Sequence, residues 1–181
     1  MTNVRIANPL PAPRETLYSF ISRVAATWRA TVPDFAYDIG VAFKRLVEQD
    51  PEAITEFTNW VDLTTEQKNE LLSWTAMRAG EIRMVFRGEL FMSRALVNPV
   101  MRGCPVCLRE DASSSPGKET AAMVMRGDWQ MREASVCVRH RHPLVPLWEA
   151  ATLRERFDIA ARLDEIKDDL LAGSYDQPTL V

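Results

Sequence analysis

Before residue 104 and after residue 142 the chain contains no cysteine and no histidine. Three cysteines in all, Cys104, Cys107 and Cys137, are too few and odd in number for a disulfide framework. Only two histidines, His140 and His142, are present to serve acid–base chemistry. The sequence has no Gly-rich phosphate loop ending in Lys and Ser or Thr, and no G-x-S-x-G. Signatures of nucleotide hydrolysis and of serine hydrolysis are therefore missing. Carboxylates are plentiful, but Glu66, Glu70, Asp164, Glu165, Asp168 and Asp169 read as solvated helix faces, so no enzymatic activity is expected. No run approaches the roughly 18 apolar residues of a membrane span. "MTNVRIANPLPAPRETL" also lacks the apolar core of a signal peptide. The expectation is a cytoplasmic protein that does not engage a membrane.

Strong charge of one sign is absent as well. The net charge of −3 does not advertise a nucleic-acid binder, but its distribution is uneven. Residues 71–148 hold eleven basic and seven acidic side chains, whereas residues 48–70 hold one and seven. Of the 22 basic residues 18 are Arg, the side chain suited to bidentate contacts with phosphate or carboxylate. A basic middle thus lies between acidic segments.

A length of 181 residues with 46% hydrophobic content fits one domain, or one domain and a small appendage, with a core that needs no disulfides. After a proline-punctuated lead-in, Leu17, Phe20, Ile21, Val24, Ala25 and Trp28 recur at helical steps. A second helix is predicted from near Asp34, with Phe35, Ile39, Phe43, Leu46 and Val47 inward. A third follows Asp50 and Pro51, residues suited to a cap and a first turn. Thr64 and Gln67 have capping-box spacing at the start of a fourth. A turn is expected at Arg87-Gly88, and a hairpin of two short strands around Gly127-Asp128. From Trp148 to Leu171 the pattern predicts one long amphipathic helix, with Gly173 as its stop. It could cover its own helical body or a second copy, so a homodimer is one expectation. Trp28, Trp60, Trp74, Trp129 and Trp148 fall on apolar stripes and read as core.

The cysteines carry the most specific signal. Cys104-x2-Cys107 and Cys137-x2-His140 are two knuckles of equal spacing. Together they offer three thiolates and one imidazole, a closed tetrahedral set for one structural Zn2+. His140 is preferred to His142 because its spacing mirrors the first knuckle; His142, before Pro143, is expected exposed or in a supporting role. A redox CxxC is disfavoured because no βαβ pattern surrounds it. The expected fold is α+β and mainly α. An N-terminal helical, helix-turn-helix-like region (1–100) precedes a zinc-knuckle and β-hairpin module (101–148), and a C-terminal amphipathic helix and tail (149–181) close the chain.

These residues resemble the TniQ family. The lead-in matches at Pro11, Pro13, Glu15, Ser19 and Arg23. The second block, "CPVCLRED", "DWQMREASVC" and "HRHPLV", matches a CPxCLxxD, Trp-Gln, CxxH and PL pattern. The resemblance covers residues 9 to about 148. It implies metal ligands at Cys104, Cys107, Cys137 and His140, with Trp129 packed beside them. It also implies a non-catalytic adaptor in DNA transposition and target-site selection, linking a target-recognition complex or DNA to an AAA+ ATPase and transposase. The chain departs from the pattern after His142, where a second cysteine-rich segment of many members has no counterpart, so it reads as a short form. If DNA is touched, Arg83, Arg87, Arg94, Arg102, Arg109, Arg139 and Arg141 are the candidate contacts. A domesticated protein-interaction module without nucleic-acid contact is the competing expectation, favoured by the acidic pI of about 5.5.

Overall fold

A computed structural model describes residues 7–179. The last two residues of the expected C-terminal tail and the first six of the N-terminal region lie outside that range. Helix α1 (Leu17–Thr27) begins where Thr16, in extended conformation, accepts the Ser19 N–H. Its stripe of Leu17, Phe20, Ile21, Val24 and Ala25 is buried as expected, while Trp28 sits at the C-cap, 42% exposed, edge-on to Trp60. The single helix expected from Asp34 to Val47 is instead two, α2 (Val32–Asp38) and α3 (Phe43–Val47). Gly40 ends α2 at φ 77°, and the Gly40 and Val41 amides bond back to the carbonyls of Tyr37 and Ala36 at 3.0 and 2.8 Å. This is a Schellman stop, which needs a residue without a Cβ penalty at that position. Helix α4 (Pro51–Trp60) is capped by Asp50, and α5 (Thr65–Ser73) by the reciprocal Thr64–Gln67 box, both as expected. These helices bury Phe20, Phe35 and Phe57 edge-to-face, with Leu46, Ile54 and Leu71 around them.

Three short antiparallel strands follow in sequential order: β1 (Met77–Arg78), β2 (Arg83–Phe86) and β3 (Glu89–Met92). Arg87 and Gly88 both have positive φ, 53° and 80°, so the turn expected there closes a tight hairpin. Strand β4 (Val100–Gly103) leads into α6 (Pro105–Ser113) and α7 (Glu119–Ala122). Strand β5 (Val145–Glu149) returns antiparallel to β4. Helices α8 (Leu153–Phe157) and α9 (Ile159–Leu171) complete the fold. Among the described residues no helix is long and apolar enough to cross a membrane.

Two further local expectations are corrected. Residues 121–137 do not form a hairpin; Gly127–Gln130 is a 3-10 turn. The extended pairing that Met123, Val124 and Met125 promised is made with the lead-in instead. Met125 O accepts the Thr16 N–H at 3.2 Å, Glu15 bridges Arg126, and the Gly127 N–H reaches Arg14 O at 2.7 Å. The long C-terminal helix is also interrupted. Its first residues are claimed by β4, Thr152 and Glu155 form a capping box that starts α8, and Asp158 at ψ 63° breaks the chain before α9. The Thr152-x2-Glu155 spacing was a readable signal for that restart.

Side chains of α1 hold the far ends of the chain. The first amide of α9 that needs a partner, Ala160 N–H, donates to Ser22 Oγ at 2.7 Å, and Asp158 accepts the Val32 N–H at 3.2 Å. Glu15 is fully buried. Its carboxylate takes Arg23 at 2.7 Å, the Ala12 N–H at 2.8 Å and the Ser19 hydroxyl at 3.0 Å. Ser19 Oγ in turn accepts the Met125 N–H at 2.9 Å, and Arg23 Nε donates to Ala121 O at 2.9 Å. Burial pushes the Glu15 pKa above the usual carboxylate range, against the opposing pull of Arg23.

Replacing Arg23 with Met keeps the stem and removes the partner of a buried carboxylate. The expected loss is about 3–5 kcal/mol of stability at neutral pH. A raised carboxyl pKa contributes stability at low pH that is lost as pH rises through the folded-state value. The deficit of Arg23→Met relative to wild type is therefore expected to shrink towards acid pH. Urea unfolding at neutral and acidic pH reads this directly, and a deficit that grows on acidification contradicts it.

Candidate metal centre

The first knuckle is made by a strand running into a helix. Gly103 ends β4 against Trp129, where a Cβ would stand 3.1 Å from the indole ring. Cys104 then occupies the N-cap of α6 and Pro105 its first position. Cys107 lies three residues on, so both thiols emerge at the same end of the helix. The second knuckle is closed by backbone bonds. Cys137 N–H donates to His142 O, and Arg141 N–H to Cys137 O, each at 2.8 Å, with Arg141 at φ 52°.

The two knuckles converge. All four donor atoms of Cys104, Cys107, Cys137 and His140 lie within 4.8 Å of one another, and the three cysteines are buried and unpaired. His140 Nδ1 stands 3.6, 3.2 and 3.9 Å from the sulfurs of Cys104, Cys107 and Cys137, and the last two sulfurs are 3.6 Å apart. A tetrahedral ion with metal–sulfur bonds of about 2.3 Å and metal–nitrogen bonds of about 2.0 Å separates its ligands by roughly 3.5–3.8 Å. The cluster fits one such ion. His140 Nε2 lies 3.1 Å from Glu110 Oε1, so the carboxylate on α6 fixes the tautomer that turns Nδ1 towards the sulfurs. The thiols lie close to one another. A hydrogen bond from Cys107 pulls the Cys104 thiol down to about 5, while the same bond and burial push Cys107 up. Such a group accommodates several thiolates at once only around a positive ion.

The surroundings are a shared core. Leu108, Met123, Met125, Trp129, Leu144 and Leu147 pack with Ile159, Leu163 and Leu170 of α9. Trp129 is 3% exposed, as expected of the packing residue. Arg126, 5.2 Å over its ring, is held by both oxygens of Asp111 at 2.8 Å. Asp111 is the acidic residue that closes the CPxCLxxD pattern, but neither Glu110 nor the pairing of Asp111 with Arg126 stood out in the sequence, where both look like surface charges of an Arg-rich segment. His142 is not exposed. It is 2% accessible and outside the donor cluster, with Nε2 accepting the Gln177 N–H at 2.8 Å, so it holds the C-terminal tail.

The arginines singled out as nucleic-acid contacts are dispersed over several elements. Arg83 and Arg94 are exposed on and beside the three-stranded sheet. Arg87 at its turn stacks 4.2 Å over Trp74 and donates to Ser73. Arg102 folds back on the carbonyls of Met131 and Arg132. Arg109 makes a bidentate pair with Asp176, and Arg139 pairs with Glu110 at 2.9 Å. Arg141 is exposed on the second knuckle.

Compared with protein-family models, residues 7–144 match the family described as TniQ. No curated protein matches the chain.

Replacing Cys104 or Cys137 with Ser is expected to lower bound metal well below one ion per chain and to open residues 101–148 to protease first. Removal of metal from wild type by a chelator should do the same, because binding energy of such a site is folding energy. Elemental analysis combined with limited proteolysis checks both, and a Ser variant with full metal content and an unchanged digest contradicts the ligand assignment.

Proposed function

We propose a function from one premise: the chain belongs to the TniQ family, and so to a group of transposition-associated proteins. In this reading the protein is a non-catalytic adaptor in target-site selection. It holds one structural Zn2+ on Cys104, Cys107, Cys137 and His140, and joins DNA or a target-recognition complex to an AAA+ ATPase and its transposase. The observation that carries it is the donor cluster within the family match. Three thiolates and an imidazole suit zinc over harder cations, and four protein ligands leave no coordination position for a substrate. When bound, the ion supplies a fixed cross-link between α6 and the second knuckle. Glu110 orients His140, and Gly103 lets β4 approach Trp129 closely.

The three-stranded sheet supports a contact role. Its register places Met77, Val85 and Leu90 in one row, with Arg83 and Met92 beside them, on the face opposite the buried Met84 and Phe86 and the partly buried Phe91. Met77, Leu90 and Met92 are 48, 54 and 42% exposed. Arg83 is exposed on that face and Arg94 beside it, Arg78 is exposed on the edge strand in the row of Met84, and none of the three forms an ion pair among the described residues. A face of apolar and basic side chains is the kind that partners cover. The apolar row favours a second reading, in which a protein alone covers the sheet.

Binding of duplex DNA by the metal-loaded protein, measured across a salt series, separates the two. Phosphate contact gives an affinity that falls steeply with salt, and Arg83→Ala with Arg94→Ala reduces the slope by about one unit for each phosphate that the removed arginines neutralise in wild type. Absence of binding at low salt removes direct DNA contact and leaves the protein-adaptor reading.

A further inference from the structure

The order of the three-stranded sheet leaves β3 at an edge. In its ladder with β2, Phe86 pairs with Glu89, Val85 with Leu90, Met84 with Phe91 and Arg83 with Met92. The two-residue turn makes Phe86 and Glu89 a hydrogen-bonded pair, and such pairs alternate along an antiparallel ladder. The Ser93 N–H, which donates to Ile82 O at 2.9 Å, keeps that alternation. Leu90 and Met92 are therefore the residues whose backbone groups turn away from β2. Leu90 N–H, Leu90 C=O and Met92 N–H have no backbone partner elsewhere among the described residues. The Met92 C=O opens the 3-10 turn Ser93–Ala95, which ends the edge. An edge of this kind is a template for another chain, and proteins usually blunt it with Lys, Pro or a bulge. Strand β3 has none of these. Its register is regular, its sequence is Glu89-Leu90-Phe91-Met92, and its one charge sits beside the turn. The side chains of Leu90 and Met92 are exposed along the same edge.

These features select an occupant. The edge presents both donors and an acceptor, on residues two positions apart. A phosphate backbone brings acceptors only and leaves the Leu90 C=O without a donor. An extended polypeptide brings both at that spacing, and its alternate side chains fall beside Leu90 and Met92. Charge marks one end of the edge: Arg83 lies across from Met92 and Arg94 follows on the turn, both exposed. We propose that β3 is a docking edge for an extended segment of a partner protein, which joins the sheet as a fourth, antiparallel strand. The segment carries apolar residues opposite Met92 and Leu90, separated by one residue. An acidic residue stands two positions before the first of them, where Arg83 and Arg94 meet it. The inference rests on the reading in which a protein covers this sheet, and it gives that cover its form.

The probe is a synthetic peptide, acetyl-Glu-Thr-Val-Thr-Val-Thr-amide, titrated into the full, metal-loaded chain labelled with ¹⁵N. In the free chain the Leu90 and Met92 amides are expected to exchange with solvent far faster than those of Glu89 and Phe91, which bond to Phe86 and Met84. Saturating peptide is expected to slow both at least about tenfold. Methylating the backbone nitrogens of its two Val residues, which face β3, should abolish the effect, and methylating those of its Thr residues should not. Met92→Pro is the matching variant of the protein. Met92 has φ −66°, the value that proline fixes, so this change removes the outward N–H without straining the strand. It should bind the peptide at least about fivefold more weakly than Met92→Ala, the loss of one hydrogen bond, with Phe91 exchange and metal content as in wild type. Equal binding by the two variants overturns the proposal. So do Leu90 and Met92 amides that are already slow in the free monomer, or that slow with protein concentration alone, which give the edge to this chain or to a second copy. Peptide-induced shifts of the Met77, Leu90 and Met92 side chains without slowed amides overturn it but leave a protein cover of the face standing. A peptide that moves neither also overturns it, and duplex DNA that then shifts those side chains removes the protein cover as well.

Discussion

A carboxylate with no access to water must be satisfied by the protein, and Glu15 is such a group. Its three partners come from the lead-in, from α1 and, through Ser19 and Arg23, from the segment before Arg126. The backbone repeats the junction, since Glu15 bridges Arg126 directly. Satisfying one acid therefore fixes the beginning of the chain against a stretch more than a hundred residues later. Helix α1 is the common wall. Its apolar stripe faces α2 to α5, while Ser19, Ser22 and Arg23 face the second half of the chain. The polar side of this amphipathic helix is thus buried as fully as the apolar side, in hydrogen bonds instead of packing.

The metal cluster is tied to that junction by one short helix. On α6, Cys107 faces the other donors, Glu110 reaches His140, and Asp111 holds Arg126. Arg126 is next to Met125, whose amide is held by Ser19. Burial disfavours the charged Arg126, and the carboxylate of Asp111 more than offsets this, which keeps a cation beside the thiols. Loss of the cluster would free α6 at its N-terminus, and the slack would pass to Asp111, Arg126 and the lead-in. The sulfur ligands and the buried acid are separate chemically but share one mechanical path.

What the sequence made legible followed from short-range rules. Caps at Asp50 and Thr64, the turn at Arg87-Gly88 and the pairing of two x2 knuckles each depend on residues within a few positions of one another. The failures involve partners distant in sequence. Met123 to Met125 have the alternation of a strand, but its partner is the lead-in, which no local pattern announces. Trp148 and Glu149, read as the start of the last helix, are taken by β4, whose terminal Gly103 permits close approach. His142, before Pro143, reads as exposed or supporting, and the tail that returns to cover it is distant in sequence. Gly40 and Thr152 were different: both signals were present in the sequence and were outweighed by a longer apolar period.

The same distinction sorts the arginines, and this bears on function. Counted along the chain, the middle segment is a basic block. In space part of that charge is already used: Arg126, Arg109 and Arg139 meet carboxylates, and Arg102 turns inward. Coulomb attraction to a distant partner depends on the charge that remains uncompensated and exposed, because paired charges present only a dipole. At the sheet that leaves a small basic set, Arg78, Arg83, Arg87 and Arg94 around an apolar face, while Lys118, Arg132 and Arg141 are exposed elsewhere. A surface of this size gives weak steering and a modest salt dependence by itself. Affinity from it must come in large part from covering Met77, Leu90 and Met92. A partner that meets this face with both acidic and apolar groups gains more from it than a bare phosphate backbone does, and the balance between those two terms sets how selective the contact is.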